Sequence, residues 1–555
     1  MKQLRMYLLV IAAIVAVGLY GCAGSETGGG DPAADTTPGP EIATGDGLPE
    51  PDVVAGIDVT SGLDTSSGGD DTGSFGDGPP PDGAVPTDTT AGGAAIFGSA
   101  DDSAQRGPVV VRYEVQLDSA ASYVVSASWR LQEGEPFQSC TPLKGYGDLE
   151  SGAVAVEGHG RYVWDSMADL QEDVGSVDFQ LKVLASDGAA GTGHVEPFSL
   201  YNDPTRVRQV LLTHDINGDN RVRQLTWTHG VGMGGVGGDP AGLIHTIGPT
   251  PRRVAFSPNG ISAVIIEEGN GTLRFLQFDH EDGSVGGNFA ELIPDLYPVD
   301  VEFSGDGGDL YIVHSSPNPD GGVYRVPLRT NGSGFLGGDT PQQIHSQYVP
   351  GDLEVLPEGR GLALLAADPG GNMEGMHLVI LSLDGEVLSE TTIGPEGSIA
   401  RNVAASPDGQ WLLATYFNLF AEGQDRVVLI ALDAEGEATI VNDVEVGDPE
   451  EPAWTADSLT ALVTEAMNDQ VTGLAVDGGT LNKGNSFTLG LASRVAHTTW
   501  GPDRDIFLVT TVSASSGKSG LAVVTVGEDG TVTNTGTYEL GNGIDKIPGD
   551  VAIQP

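Results

Sequence analysis

The chain has 555 residues, of which 39% are apolar, and its 78 Asp and Glu against 25 Lys and Arg give a formal net charge of −53. Such a surface repels phosphate backbones and anionic lipid head groups, so we do not expect nucleic acid as a partner. The chain is too long for one hydrophobic core, and its 82 glycines and 34 prolines suit short strands joined by turns. The acids serve either to hydrate the surface or to collect cations, and their spread along the whole chain favours hydration.

Residues 1–21 have the pattern of a secretory signal peptide. Lys2 and Arg5 precede an unbroken apolar run, Leu8–Leu19, which is too short to span a bilayer. The sequence Leu-Tyr-Gly-Cys that ends at Cys22 resembles a bacterial lipobox. The resemblance implies cleavage before Cys22, acylation of that cysteine, and a lipid anchor in the outer membrane or at the cell surface. The alternative is an ordinary signal peptide followed by an accidental cysteine.

Residues 22–102 consist of Gly, Ser, Thr, Asp, Pro and Ala with almost no large apolar side chains. Such a segment cannot bury enough surface to offset the entropy of ordering, so we expect a disordered acidic tether. Its physical role is to hold the folded part away from the membrane. The only other cysteine is Cys140, so an acylated Cys22 leaves no intrachain disulfide and no thiolate metal site.

Residues 103–203 show apolar and polar residues in alternation. The pattern runs through Val109–Leu117, Tyr123–Leu131 and Val177–Ala185, and it is typical of half-buried antiparallel strands. Six or seven strands in about 100 residues suggest an immunoglobulin-like or fibronectin-type β-sandwich. Trp164 is interpreted either as a core anchor or as an exposed ligand platform, with the core favoured.

A short sequence motif recurs from residue 254 to the end of the chain. Its copies end in turns such as Ser-Pro-Asn-Gly and Ser-Pro-Asp-Gly, and their third residues fall at 258, 305, 357, 407, 456, 502 and 555. Each copy is followed by an apolar strand and by a strand that tends to end on an acid. Four strands per repeat at a period near 50 residues predict a β-propeller.

The number of repeats leads to a closure hypothesis. Six copies begin complete four-stranded units, whereas the seventh, Asp550–Pro555, has no strands after it. Three candidate strands precede the first copy, at Gln209–His214, Arg221–Thr228 and Leu243–Ile247. We therefore expect an all-β chain in which residues 206–555 form a seven-bladed propeller, closed by pairing of its N- and C-terminal strands.

The Ser-Pro-Asp/Asn-Gly turn with its flanking strands resembles the YVTN and lactonase-like propellers, of the 6-phosphogluconolactonase type. The resemblance covers residues 206–555. It implies the propeller fold and, as one candidate activity, hydrolysis of a small sugar-derived or other lactone.

Two groups of residues are candidate functional sites. Arg252, Arg253 and Arg401 lie next to the first strands of their repeats and are candidates for lining the central channel. Asp215, Asn217 and Asp219 place oxygen atoms at alternate positions, as in a calcium loop, although no glycine or closing glutamate follows at the expected spacing. That segment is therefore either a polar hairpin turn or a Ca²⁺ site, and no other cofactor is expected.

One motif that resembles a dinucleotide-binding loop does not have the expected context. Residues 230–235 match GxGxxG, but the sequence after them does not predict the helix that a dinucleotide site requires. We expect a loop between strands there.

These features favour a non-enzymatic binding or scaffold module at the cell envelope, which captures an envelope protein, a glycan or a small molecule on its propeller. The alternative function is a lactonase-like hydrolase. A hydrolase requires acids, histidines or arginines that converge at one channel mouth with perturbed pKa values. A polar, convergent mouth would favour the hydrolase over an apolar, filled one.

Overall fold

The computed structural model describes residues 94–555 apart from short stretches, and all of these residues belong to one compact unit, Gly73–Pro555. The stretches left out are 101–103, 145, 148–149, 215–220, 237–241, 249, 268–270, 280–281, 294–296, 316–320, 330–332, 337–338, 368–374, 419–422, 466–467, 490, 498–505, 513–518 and 541–547. Cys22 and the candidate calcium ligands Asp215, Asn217 and Asp219 therefore lie outside the described residues. Within the described part, no helix is long and apolar enough to cross a membrane.

The N-terminal module is a single seven-stranded sheet with one short helix. Its elements are β1 (Ala94–Ala100), β2 (Ala104–Gln105), β3 (Pro108–Arg130), β4 (Gln138–Ser139), β5 (Glu150–Asp165), α1 (Ser166–Asp169), β6 (Asp173–Ala185) and β7 (Ala190–Tyr201). The 23-residue strand β3 pairs with β1 and β5 along its first half and with β6 along its second half. The sheet encloses one shared core with residues from β1, β3, β5, β6 and β7.

Two expectations about this module were wrong in detail. The predicted strands Val109–Leu117 and Tyr123–Leu131 lie in one strand, β3, which ends at Arg130. Between them the pairing of β3 with β5 shifts register, and the chain does not turn. The module also begins earlier than residue 103, since β1 lies within the segment expected to be tether. Its inward side chains, Ala94 and Ile96, are buried but few and small, so composition alone did not reveal the strand.

Trp164 is a core residue, which confirms one of its two interpretations and makes the exposed platform wrong. Its side chain is fully buried, and its ring lies 5.9 Å from that of Trp129 and 5.6 Å from that of Phe179. The indole Nε1 donates a hydrogen bond of 2.6 Å to Asp169, so its one polar atom is satisfied.

The rest of the described chain forms antiparallel sheets in chain order, as expected for an all-β protein. One sheet has five strands, β8 (Arg208–His214), β9 (Arg221–Thr228), β10 (Gly232–Gly235), β11 (Leu243–Thr246) and β36 (Pro548–Ile553). Six four-stranded sheets follow β11: β12 (Pro251–Phe256), β13 (Ser262–Glu267), β14 (Thr272–Phe278) and β15 (Val285–Leu292); β16 (Pro298–Phe303), β17 (Asp309–His314), β18 (Gly322–Pro327) and β19 (Gln342–His345); β20 (Val349–Leu356), β21 (Gly361–Ala367), β22 (Met376–Leu381) and β23 (Val387–Ile393); β24 (Ser398–Ala405), β25 (Trp411–Asn418), β26 (Arg426–Leu432) and β27 (Ala438–Glu445); β28 (Pro449–Trp454), β29 (Thr460–Glu465), β30 (Gln470–Asp477) and β31 (Thr480–Thr488); β32 (Leu491–His497), β33 (Ile506–Val512), β34 (Ser519–Val526) and β35 (Val532–Glu539). A 3₁₀ turn, Pro357–Gly359, joins β20 to β21.

The five-stranded sheet joins the two ends of this region. Strand β36 pairs antiparallel with β8, with Val551 opposite Leu212 and Ile553 opposite Val210. Strand β10 is formed by the GxGxxG segment and pairs with β9, so the expectation of a loop there was wrong. The glycines of β10 carry no side chains, and this removes the apolar alternation by which a strand is recognised.

The sheets contact each other through what we call the inner strands, β12, β16, β20, β24, β28, β32 and β36. Each inner strand contacts the next one in this order, and β36 contacts β12. Apolar cores fill the space between neighbouring sheets, for example between β20–β22 and β24–β26. The inner strands are therefore the elements that can bring residues from distant parts of the chain together.

The N-terminal module packs against the turn that follows β16. Arg161 forms a 2.9 Å ion pair with Asp306, and the Tyr146 hydroxyl accepts a 3.0 Å hydrogen bond from the Gly305 backbone N–H. Both contacts lie in the turn between β16 and β17. The opposite ends of the inner strands, where these strands begin, are not part of this contact.

We expect Trp164→Ala to destabilise the N-terminal module by about 3–5 kcal/mol, because a large buried ring and its hydrogen bond are both lost. Urea unfolding of the full chain, followed by tryptophan fluorescence and circular dichroism, measures the change. The matched control is Leu184→Ala, which truncates a side chain of the same module that is 59% exposed. Equal effects of the two substitutions would contradict the assignment of Trp164 to the core.

Candidate functional site

Every inner strand carries a β-bulge near its beginning. In β12 the register shifts between Pro251 and Val254, and the other six inner strands shift at the equivalent place. A bulge places two residues opposite one and turns their side chains away from the regular alternation. The bulges therefore bring one residue from each of seven distant segments to the same level.

Six of the seven residues at this level can carry a charge, and the seventh is an amide. We call them the bulge ring: Arg253, Asp300, Asp352, Asn402, Glu451, Arg494 and Asp550. Thr hydroxyls on the second strands satisfy several of the backbone groups that the bulges free. Thr415 accepts from the N–H of Asn402 at 3.1 Å, and Thr213 accepts from that of Asp550 at 2.8 Å.

Each of the four acids of the bulge ring ties its own inner strand to the next one. Asp352 accepts a 2.7 Å hydrogen bond from the backbone N–H of Val403, on the following strand. Equivalent bonds join Asp300 to Leu353, Asp550 to Val254 and Glu451 to Val495, at 3.0, 2.9 and 3.3 Å. Each bond satisfies a buried backbone N–H of the neighbouring strand, so these contacts stabilise the arrangement of the sheets as well as the site.

Arg253 reaches across the ring. Its guanidinium lies 3.6 Å from Asp300, 3.1 Å from Asp352 and 3.9 Å from Glu451, and its side chain is 13% exposed. Burial alone would lower the pKa of Arg253, but Asp300, Asp550 and the other carboxyl groups outweigh that effect and raise it above the usual value. Arg253 is therefore a permanent positive charge at the centre of the acids.

A second layer lies two residues further along the inner strands. Five of its positions are alanine and two, on neighbouring strands, are Glu302 and Glu354; the alanines are Ala255, Ala404, Ala453, Ala496 and Ala552. Burial raises the pKa of Glu354 to about 8. Burial, and next the charge of Glu354, raise the pKa of Glu302 well above its usual value. Glu354 is therefore largely protonated at neutral pH.

Three carboxyl groups of the bulge ring, those of Glu451, Asp352 and Asp550, have a pKa above the usual value. Burial raises the pKa of Glu451 to about 7, against the opposing effect of Arg494. Burial also raises the pKa of Asp352 well above its usual value, and neighbouring Asp300 adds to the effect. The pKa of Asp550 is raised by burial too, with Arg253 and Arg494 opposing. In all three residues burial is the largest cause, and it outweighs the opposing charge of the arginines.

A polar cavity of about 200 Å³ opens at the beginning of the inner strands. It is lined by bulge residues and their neighbours: Arg252, Arg253, Val299, Gly351, Ala400, Arg401, Asn402, Glu450 and Arg494. The three arginines singled out in the sequence, Arg252, Arg253 and Arg401, thus all border one cavity. Four of the nineteen arginines in the chain meet there, in a protein with a net charge of −53.

Arg401 is held at the rim by three contacts. Its guanidinium lies 3.0 Å from Glu450 and 3.5 Å from Asp448, and it stacks over the ring of Phe417 at 4.3 Å from the ring centre. The buried Nε atom makes no hydrogen bond within the described residues. These contacts orient the guanidinium and leave it one unused donor.

The acids of the bulge ring and Arg494 were not among the predicted site residues, although the sequence contains a signal for most of them. Five residues before the third residue of each copy stand Arg253, Asp300, Asp352, Asn402, Glu451 and Asp550, a column with no apolar member. The sixth copy breaks this column, because β32 ends at His497 and β33 begins at Ile506. That connection is longer than the others, so Arg494 stands further from the third residue of its copy and falls outside the column.

Other candidates are placed away from this site. Cys140 is buried in the N-terminal module, where burial raises the pKa of its thiol far above the usual value and keeps it protonated. Across the described residues, no group of three or more His, Cys, Asp or Glu is arranged to hold a metal ion.

No protein-family model matches the chain, and no curated protein matches it. Among solved structures, the chain is similar to the periplasmic gluconolactonase PpgL of Pseudomonas aeruginosa, with 17% identity, a TM-score of 0.48, and coverage of 63% of this chain and 99% of that one. It is also similar to a putative 6-phosphogluconolactonase of Bacteroides fragilis, with 14% identity, a TM-score of 0.47, and coverage of 62% and 98%. Similarity at this level says nothing about the activity of this chain.

We expect the free energy of unfolding to fall as the pH rises from 5 to 8. Unfolded Glu titrates near about 4.3, whereas Glu354 in the folded protein titrates at about 8. Unfolding between these values releases the proton of Glu354, so a higher pH favours the unfolded chain. In Glu354→Gln this contribution is absent, and the pH slope should shrink by at most about 1.4 kcal/mol per pH unit.

Urea titrations at several pH values measure this slope. The control is Glu445→Gln, because the Glu445 side chain is 66% exposed. An unchanged slope in Glu354→Gln would show that Glu354 ionises normally in the folded protein.

Proposed function

We propose that residues 206–555 form a closed seven-bladed β-propeller whose channel mouth binds a small anionic ligand. Closure is supported by the pairing of β36 with β8 and by the contacts of each inner strand with the next. The first sheet in this scheme takes its inner strand from the end of the region, as the repeat count predicts. The N-terminal module is proposed to be an immunoglobulin-like domain, with its strands in one folded sheet.

One observation carries the ligand proposal: four arginines converge on a cavity of about 200 Å³ in an acidic protein. Evenly spread charge would place few arginines together, and the cost of their mutual repulsion requires a compensating anion or acid. Glu450 is the one acid in the lining. Asp352 and Glu451, outside the lining, pair with Arg253 and Arg494, so an external anion would compete with these two acids. Guanidinium groups bind carboxylates and phosphates in planar, two-pronged geometry. The volume suits a small molecule rather than a protein segment.

The cellular setting is proposed from the sequence. Cys22 would carry the lipid anchor, and residues 23–93 would serve as the tether that presents the propeller at the outer membrane or cell surface. In that setting the protein captures a small anion from its surroundings. The other partners considered, an envelope protein or a glycan, have no comparable feature in the described residues.

Replacing Arg401 should weaken anion binding without unfolding the protein. We expect Arg401→Gln to raise the Kd for sulfate roughly tenfold or more, because a charged hydrogen bond contributes about 1.5–3 kcal/mol. Isothermal titration calorimetry of the full chain at pH 6 and low ionic strength measures the change. The matched control is Arg426→Gln, since Arg426 pairs with Asp443 and Glu445 outside the cavity and its side chain is similarly buried. Binding that is equal in both variants, or absent in the wild type, would refute the proposal.

A second candidate function is hydrolysis of a small lactone, and one observation favours it. The carboxyl group of Glu451, with a pKa of about 7, lies beside two arginines of the mouth. Such a group can accept a proton from water at neutral pH, while arginine can stabilise the oxyanion that forms on the lactone carbonyl. The polar, convergent mouth is the arrangement that this alternative requires.

A pH-stat assay with a panel of sugar-derived lactones tests this second function. If the protein is a hydrolase, the rate should exceed the buffer rate and should fall by about 10²-fold or more in Glu451→Gln, because the general base is lost. Arg426→Gln serves again as the control. A rate that does not exceed that of buffer leaves ligand binding as the function.

A further inference from the structure

Glu451 occupies an unusual position among the acids of the bulge ring. Its carboxylate lies between two arginines that line the cavity, at 3.9 Å from Nη1 of Arg253 and 3.6 Å from Nη1 of Arg494. An ionised Glu451 therefore competes with any external anion for the same two guanidinium groups.

The other acids of the ring are more firmly engaged with the backbone. Asp352, Asp550 and Asp300 accept backbone N–H bonds of 2.7, 2.9 and 3.0 Å, whereas the bond from Val495 to Glu451 is 3.3 Å. Asp352 also accepts from the Asn402 amide at 3.2 Å. Glu451 is thus the ring acid whose interactions are mainly with the arginines of the mouth.

The charged groups that face Glu451 come from four other strands. Arg253 on β12 and Arg494 on β32 favour its ionised form, whereas Asp550 on β36 and Glu354 on β20 oppose it. Together with burial, which is the largest influence, they bring its pKa to about 7. The group therefore changes charge in the range where most envelope compartments operate.

We propose that Glu451 acts as an internal competitor for the arginines of the cavity, so that binding of an external anion is accompanied by uptake of a proton at Glu451. This regulation rests on the anion-binding function proposed above and concerns the same cavity. When Glu451 is protonated, it no longer holds Arg253 and Arg494, although Arg253 stays paired with Asp300 and Asp352. When Glu451 is ionised, it holds both arginines.

The direction of the pH dependence follows from linkage. A bound anion next to Glu451 disfavours the carboxylate, so the pKa of Glu451 is higher in the complex than in the free protein. Affinity is therefore full below about pH 7, where the free protein already carries the proton. It falls as the pH rises above that value, by at most about tenfold per pH unit for one linked proton.

Sulfate is a suitable probe, because it does not titrate between pH 5.5 and 9 and so contributes no protons of its own. Calorimetric titration of the full wild-type chain, at pH 7.5 in two buffers with different heats of ionisation, gives the number of protons taken up. We expect a fraction of one proton per sulfate and a Kd that rises about tenfold between pH 6 and 8.5. This measurement needs no variant.

Glu451→Gln identifies the group responsible. Glutamine keeps the acceptor for the Val495 N–H but cannot ionise, so the variant should bind sulfate with one affinity across this range and without proton uptake. Glu445→Gln, altered at an exposed residue of β27, should retain the wild-type dependence. Circular dichroism and thermal melting establish that both variants are folded.

The outcomes separate this inference from the function on which it rests. If the wild type does not bind sulfate at pH 6, the anion site itself is wrong. If it binds sulfate with the same affinity at every pH, the site stands and the role of Glu451 is overturned. If pH dependence persists unchanged in folded Glu451→Gln, another group is responsible, and the proposal is also overturned.

Discussion

The arrangement of the sheets depends on one buried guanidinium, that of Arg253, and on the acids around it. Asp300, Asp352 and Glu451 each hold a backbone N–H of the next inner strand and each lie within 4 Å of Arg253. Without that positive charge, the carboxyl groups would face one another in a region of low dielectric, where an uncompensated buried charge is strongly destabilising. The same groups therefore fix the positions of the strands and give the cavity its chemistry.

The repeats differ from one another in the residue that occupies the bulge of each inner strand, and this residue gives the site its chemistry. The bulge recurs in all seven inner strands, and it exposes a different residue each time: arginine twice, an acid four times and asparagine once. Strands with similar apolar faces provide the packing, while the bulge residues provide the charge pattern. Because these residues come from segments far apart in the chain, no short local motif could encode the site.

The sequence predicts the all-β class and the order of the strands because its turns repeat and its strands alternate. The copies even place Arg252 and Arg253 beside the right strand, since a repeat fixes which residues precede the turn. The sequence could not show which of two neighbouring side chains points into the buried site. Whether Glu451 or the neighbouring Glu450 pairs with Arg253 depends on the bulge, which leaves no mark in composition. Strands β1 and β10 were missed because glycine and alanine give little hydrophobic pattern.

The N-terminal module contacts the turn between β16 and β17, so the repeats differ in how well they tolerate added residues. Tyr146 and Arg161 rest on Gly305 and Asp306, so added residues in this connection would collide with the module. The connection from β32 to β33 spans eight residues, against five between β12 and β13. Length variation among relatives is thus expected to be smaller in the connection from β16 to β17, which contacts the module, than in connections that do not contact it.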